Sequence, residues 1–316
     1  MDFATQLRED LKEELARSAT TKFAIIGHTP DAYEITHLLL HFGAGDRMLG
    51  IYSELEETEV GLVKPMQQLS ADKPDVLVLA DDRNKERLIL AAQKFTDASA
   101  RVLLAGYGHL EFSDETFEQV TRNALVPSLA NGYPCSLIHI YQCLQNAARL
   151  RLSGVVAEFG VFKGGTTMML SRFIEELGCD WKVLGFDTFD GFPPKRSLLD
   201  MYDHDDCLFR GEKSVRRYLA DRNIELIKGD LVETAKRLSD TDIVVAFFDT
   251  DNFSSTNAVL DVIQDRVVPG GALIFDHFTG AGRFRYTLGE RLAAKRLLVD
   301  ERYFHLHGTG VFLRQR

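Results

Sequence analysis

A chain of 316 residues with 45% hydrophobic and 27% charged side chains is too long for one ordinary domain and too apolar for extensive disorder, so about two domains are expected, each with its own core. The formal net charge of −10 suits a phosphate backbone poorly and argues against nucleic acid as a partner. No run approaches the roughly 20 apolar residues that span a bilayer, and the first ten residues contain no apolar secretion core, so no membrane association and a cytoplasmic location are expected.

A polar helical leader carrying Leu7, Leu11 and Leu15 precedes the first strand signal, Lys22 to Gly27. A helix should follow at once, with Thr29 as its cap, Pro30 at its first position, and Ile35, Leu38, Leu39 and Phe42 as its apolar face. Further strand runs at Met48–Tyr52, Val76–Ala80 and Val102–Gly106 alternate with helical stretches such as Arg87 to Phe95. This predicts a small parallel α/β domain over residues 1–112. Its Gly27-His28-Thr29-Pro30 turn lacks the glycines that let a pyrophosphate approach the backbone. The role of this domain is open among oligomer contacts, substrate recognition and cover for the second domain.

Residues 113–152 turn helical, broken by Pro127 and by Asn131-Gly132-Tyr133-Pro134, and are expected to bridge to the remainder, 153–316. Cys135, Cys143, Cys179 and Cys207 are scattered without Cys-x-x-Cys spacing, which suggests neither a zinc site nor a disulfide framework. From Val155 onward strands recur at Val155–Phe159, Lys182–Phe186, Glu225–Lys228, Ile243–Phe248 and Ala272–Phe275, separated by helical candidates. They predict a second doubly wound α/β sheet. It ends in an antiparallel hairpin, Arg302–Leu306 and Gly310–Arg314 joined across His307-Gly308-Thr309.

The first turn of this second sheet carries the chemistry. Glu158 ends a strand, Gly160, Lys163, Gly164 and Gly165 form a glycine turn, and a helix begins at Thr166. Backbone amides there point at an anion, and the absent Cβ atoms would let a ligand approach. The spacing Glu-x-Gly-x-x-x-Gly-Gly differs from the dinucleotide pattern. It suits S-adenosyl-L-methionine, with Glu158 near the cationic methionine portion and the glycine loop at its carboxylate. Asp187, followed by Thr188, closes the next strand, where a carboxylate can accept from both ribose hydroxyls. Gly229-Asp230 follows the third strand, at the usual place of the adenine ring. Taken singly, Glu158 and Asp187 also fit as a helix-dipole partner and a cap.

Methyl transfer to a hydroxyl needs a base, a metal, or both. Asp249 and Asp251 end the fourth strand, and Asp276 and His277 end the fifth, on the carboxyl edge where open α/β sheets bind ligands. Oxygen donors favour Mg2+, and a histidine admits another divalent cation such as manganese, iron or zinc. The segment between Phe189 and Ile224 is long enough for a lid, with Phe189, Phe192, Met201, Tyr202 and Phe209 over a substrate. Its acidic cluster, Asp200, Asp203, His204, Asp205 and Asp206, reads as a solvated loop.

Residues 133–316 resemble the macrocin O-methyltransferase family. The matching segments are Val156–Gly165, Phe186–Pro193, Phe248–Thr256, Val268–Asp276 and Gly308–Arg314. The resemblance implies a class I methyltransferase fold and O-methylation of a sugar or natural-product hydroxyl on a small-molecule acceptor; a homo-oligomer is expected. It also implies that Asp249, with the pair at Asp276 and His277, holds a divalent cation, and that Asp249 acts as base. The family's second acid of that pair is histidine here. Three roles for His277 stay open: ligand in an altered metal site, base in a metal-free site, or a structural side chain. Rival functions are an N- or carboxyl-methyltransferase, an NAD-dependent oxidoreductase working through the first domain, and a non-catalytic scaffold.

Overall fold

Short strands build both sheets, buried at the sheet centres and more exposed at the edges, and the parity of their side chains decides which face each residue covers. The structure is a computed structural model that describes residues 3–54, 63–104, 106–280 and 285–316. It divides into two units, Met1–Phe112 and Ser113–Arg316.

The first unit is a parallel sheet of β1 (Phe23–Ile26), β2 (Met48–Ser53), β3 (Val63–Pro65), β4 (Val76–Leu79) and β5 (Arg101–Leu104), in the order β3-β2-β1-β4-β5. Successive side chains of a strand point to opposite faces. Phe23, Ile25, Ile51, Val76 and Val78 therefore pack with Leu7, Leu11, Ile35 and Leu39 on one side. Ala24, Ile26, Tyr52, Leu77 and Leu79 pack with Leu69 and Leu88 on the other. The Thr29 hydroxyl oxygen accepts from the Ala32 N–H at 3.4 Å, capping the helix Pro30–His41 as its sequence implies. β3 was not expected. Three residues ending in proline give no strand signal, and they pair only at the sheet edge, where a missing N–H is tolerated. Of the run read as Val102–Gly106, β5 ends at Leu104, and Ala105 lies outside the described residues.

The second unit orders its strands β11-β12-β10-β9-β6-β7-β8, where β6 is Val155–Phe159, β7 Lys182–Asp187, β8 Ile224–Lys228, β9 Ile243–Phe248, β10 Val267–Phe275, β11 Tyr303–His305 and β12 Val311–Arg314. β12 runs antiparallel to both neighbours and the other pairings are parallel. β10 starts earlier than the sequence suggests, because Pro269-Gly270-Gly271 forms a register shift between Val267 and Ala272 inside the strand. The helices Glu115–Arg122 and Ser136–Arg149, read as parts of a bridge, pack within this unit. Phe117 stacks on Phe173 with ring centroids 5.6 Å apart, and Tyr141 lies 4.8 Å from the same ring. Among the described residues, no helix is long and apolar enough to cross a membrane.

One row of aromatic rings runs across the strand ends. Phe186, Phe159, Phe248 and Phe275, on β7, β6, β9 and β10, meet at centroid distances of 5.1, 4.9 and 4.5 Å, and Phe312 on β12 closes the row at 5.7 Å from Phe275. Each such pair adds about 0.5–1.5 kcal/mol beyond area burial.

Candidate active site

The sheet hydrogen bonds continue one residue past this row. The Gly160 N–H donates to the Phe186 carbonyl, Asp249 N–H to Phe159, and Asp276 N–H to Phe248, each at 2.9 Å. Gly160, Asp249 and Asp276 consequently stand abreast at the carboxyl edge. They line a cavity of about 450 Å³ together with Lys163, Gly165, Thr166, Asp187, Thr188 and His277.

The glycine turn is shaped differently from the sequence expectation. Gly160 has φ +98°, and a Cβ there would sit 2.1 Å from the Asp249 carbonyl oxygen, so this glycine permits the contact between two strand ends. Gly165 lacks a Cβ because the Pro127 carbonyl would be 2.0 Å from it, and the Ser128 and Thr166 hydroxyls are 2.7 Å apart beside this contact. Chain packing, as much as ligand access, uses these glycines. Gly164 caps the helix Gly165–Glu176 at φ +81° and faces Val215 and Leu219, away from the cavity wall. Glu158, expected at the ligand, is also off the wall. It is 1% exposed, with the Thr167 hydroxyl as a polar neighbour of its carboxyl. Burial holds its carboxyl well above the ordinary range, with the charges of Asp249 and Asp187 adding to the effect.

Asp187 organises two turns at once. Its Oδ2 accepts from the Phe162 N–H at 2.8 Å and its Oδ1 from the Phe189 N–H at 2.6 Å. Both phenylalanines have φ +51°. A strained non-glycine residue costs about 1–3 kcal/mol, and a bond to a charged acceptor offsets about that much. A carboxylate has roughly four acceptor positions, which leaves Asp187 capacity for a ribose. Gly229 and Asp230, expected near the adenine, lie at the start of a short helix. Asp230 caps the short helix Leu231–Thr234 by accepting from Val232 N–H at 3.0 Å and pairs with Arg196 at 2.8 Å. Gly229 and Asp230 do not line this cavity, whereas the adjoining Leu231 does.

At the other end His277 meets the acids. Its Nε2 is 3.0 Å from Asp251 Oδ1, 3.4 Å from Asp249 Oδ1 and 3.7 Å from Asp276 Oδ2. Asp249, Asp251 and His277 each offer a donor atom within 4.8 Å of the others, as a shared metal ion requires. Asp276, expected as a ligand, has its Oδ1 bonded by the Gly132 N–H at 2.8 Å, and Asp251, not expected as a ligand, joins the converging set. Burial pushes the carboxyls of Asp249 and Asp276 above their ordinary range. Burial alone would lower His277, but hydrogen bonds to Asp249 and Asp251 and the nearby Glu290 carry it up to about 12. Glu290, fully buried behind the cluster, is raised by burial to about 7. The surrounding acids thus favour the protonated form of His277 as long as no cation replaces its proton.

The insert between Phe189 and Ile224 is pinned to the turn that follows β9. Asp200 accepts from the Ser254 N–H at 2.8 Å and from its hydroxyl at 2.7 Å, while Asn252 exchanges two 2.9 Å bonds with the Tyr202 main chain. Phe192, Tyr202 and Phe209 face the cavity, whereas Phe189 is buried and Met201 is off the wall. Sequence reasoning missed Val126, Pro127, Leu129 and Asn131, which form part of the wall. A Pro-broken segment just ahead of the glycine turn was the available signal.

Residues 134–315 match the family model for macrocin-O-methyltransferase (TylF), more than half of the chain. No curated protein sequence matches it. Similar solved structures include the O-methyltransferase NovP, 22% identical with TM-score 0.48 over 57% of this chain and 78% of that one. The calicheamicin methyltransferase CalS11 is 23% identical with TM-score 0.45 over 66% and 98%. An O-methyltransferase from Bacillus cereus in complex with SAH is 15% identical with TM-score 0.40 over 64% and 90%. The chain belongs to the TylF macrocin-O-methyltransferase family and is an S-adenosylmethionine-dependent methyltransferase.

Proposed function

We propose that the protein methylates a hydroxyl of a small sugar-bearing or natural-product acceptor, with a divalent cation held by Asp249, Asp251 and His277. The observation that carries this reading is the convergence of these three donors on the same cavity wall as the glycine turn. Four acids, Asp249, Asp251, Asp276 and Glu290, surround one histidine in a largely buried place. Such an excess of negative charge raises carboxyl pKa values until protons or a cation relieve it. The donor set, two carboxylates and an imidazole, suits magnesium, manganese, iron or zinc. A bound cation would lower the pKa of an acceptor hydroxyl.

The protein's own groups do the rest. Asp187 grips the ribose, and the amides of the glycine turn receive the carboxylate of the methionine portion. Lys163, its ammonium 4.7 Å from the Phe162 ring and 5.6 Å from Phe209, adds positive charge at that end. Phe192, Tyr202 and Phe209 exclude water from the transfer path. Asp249 takes the proton of the acceptor hydroxyl. An amine or carboxylate acceptor would have less use for such a cluster.

Calorimetric titration with S-adenosylhomocysteine, followed by transfer of a labelled methyl group to a panel of glycosides with Mg2+, Mn2+ or a chelator, tests the proposal. Binding and cation-dependent transfer are expected. Full transfer in chelator would remove the cation, and absence of cofactor binding would remove the whole reading.

A further inference from the structure

Glu290 lies in no motif of the sequence, yet it connects both turns that carry the reacting groups. Its side chain is 0% exposed, on the helix Leu288–Ala294. Oε2 accepts from the main-chain N–H of Thr250 at 2.9 Å, the N–H of Asp251 at 3.0 Å and the Thr250 hydroxyl at 3.1 Å. Oε1 accepts from the main-chain N–H of His277 at 3.0 Å. A carboxylate offers roughly four acceptor positions, so protein donors saturate this one. The helix is also fixed in place: a Cβ at Gly289 would lie 2.7 Å from the Phe253 nitrogen and 2.3 Å from the Leu199 carbonyl oxygen.

We propose that Glu290 is a positioning residue for methyl transfer, clasping the turns after β9 and β10 so that His277 Nε2 faces Asp249 and Asp251. The proposal rests on the reading of that cluster as the reacting centre. Asp251 has φ +59°, a conformation that persists only when its surroundings enforce it, and its N–H is held by Glu290. Without that acceptor a buried N–H is left unpaired, and the turn relaxes, carrying the Asp251 carboxylate away from the imidazole. A glutamine has one acceptor oxygen and one donor group. It can hold one turn, but its NH2 then opposes the N–H of the other.

The test compares the full-length protein with Glu290→Gln and Glu290→Asp. S-adenosylhomocysteine affinity is measured by calorimetry, kcat and KM by methyl transfer, and the His277–Asp251 separation by crystallography. In Glu290→Gln, cofactor affinity and the KM for S-adenosylmethionine should stay within about threefold while kcat falls about 10²-fold, the scale of a 1 Å misplacement at a reacting centre. The separation of Nε2 and Asp251 Oδ1 should open beyond hydrogen-bond distance. Glu290→Asp keeps the charge but has a shorter reach, and should give an intermediate kcat. Unchanged kcat in Glu290→Gln, or cofactor affinity lost in step with kcat, overturns the proposal, the latter pointing to a purely structural role. Should Glu290→Gln fail to fold, Glu290→Asp carries the same comparison. If the parent protein transfers no methyl group to any acceptor, the reading of the reaction fails, and the crystallographic separation alone decides the role of Glu290.

Discussion

Gly160→Ala probes the joint between the glycine turn and Asp249. The added Cβ would stand 2.1 Å from the Asp249 carbonyl oxygen, against an ordinary carbon–oxygen approach of about 3.3 Å. Both atoms belong to backbone, so one strand end must retreat by about 1 Å. The residue would also hold φ +98° with a side chain, which costs about 1–2 kcal/mol. Loosening the Asp249 N–H bond to Phe159, now 2.9 Å, costs about 1 kcal/mol more. Together these predict a stability loss of about 3 kcal/mol. A 1 Å shift of Asp249 predicts roughly 10²-fold slower turnover, or about 2.7 kcal/mol of barrier. Urea denaturation reads the first quantity and labelled methyl transfer the second. Parental stability together with parental turnover would refute the claim that the two strand ends touch here.

Asp187→Asn should weaken cofactor binding about 10- to 100-fold, since bonds to a charged acceptor contribute about 1.5–3 kcal/mol, whereas Asp249→Asn should leave the cofactor Kd within about threefold and abolish transfer. Calorimetry and transfer on both variants check the contrast. Asp200 is largely buried, which would raise its carboxyl, but hydrogen bonds from Ser254, Arg196 and Ser197 hold it below its ordinary 3.8. A depressed folded pKa contributes stability above the unfolded value that is lost as pH falls through the folded one. Acid denaturation below about pH 4 should therefore be flatter for Asp200→Asn, and an identical pH slope in the two proteins would count against the pinning of the insert.

What the sequence disclosed and what it hid divide along the range of the interactions. The glycine turn, Asp187 and the strand-end acids were legible because each is a local pattern: a strand of buried residues, then a break, then a polar group. β3 was not, because three residues with a proline acquire strand character only from the neighbour they pair with. The glycines were read as places where a ligand approaches, yet the group that approaches Gly165 is the Pro127 carbonyl, and nothing local to either segment says so. Glu158 alternates with Phe159 on a strand covered on both sides, so period-two reasoning could not tell a cavity-facing acid from a buried one. Asp276 and Asp251 differ in long-range partners: the Asp276 carboxylate accepts from the Gly132 N–H, whereas the Asp251 main-chain N–H donates to the Glu290 carboxylate. Glu290 itself left one weak trace, a lone acid in a helix whose Ala293 and Ala294 are buried. Its partners are chiefly main-chain N–H groups, which every residue but proline carries, so no side-chain pattern could announce it. A site whose reacting groups are visible in sequence is thus held in register by contacts that sequence cannot spell, and it is at those contacts that a catalytic set of unchanged residues can be lost.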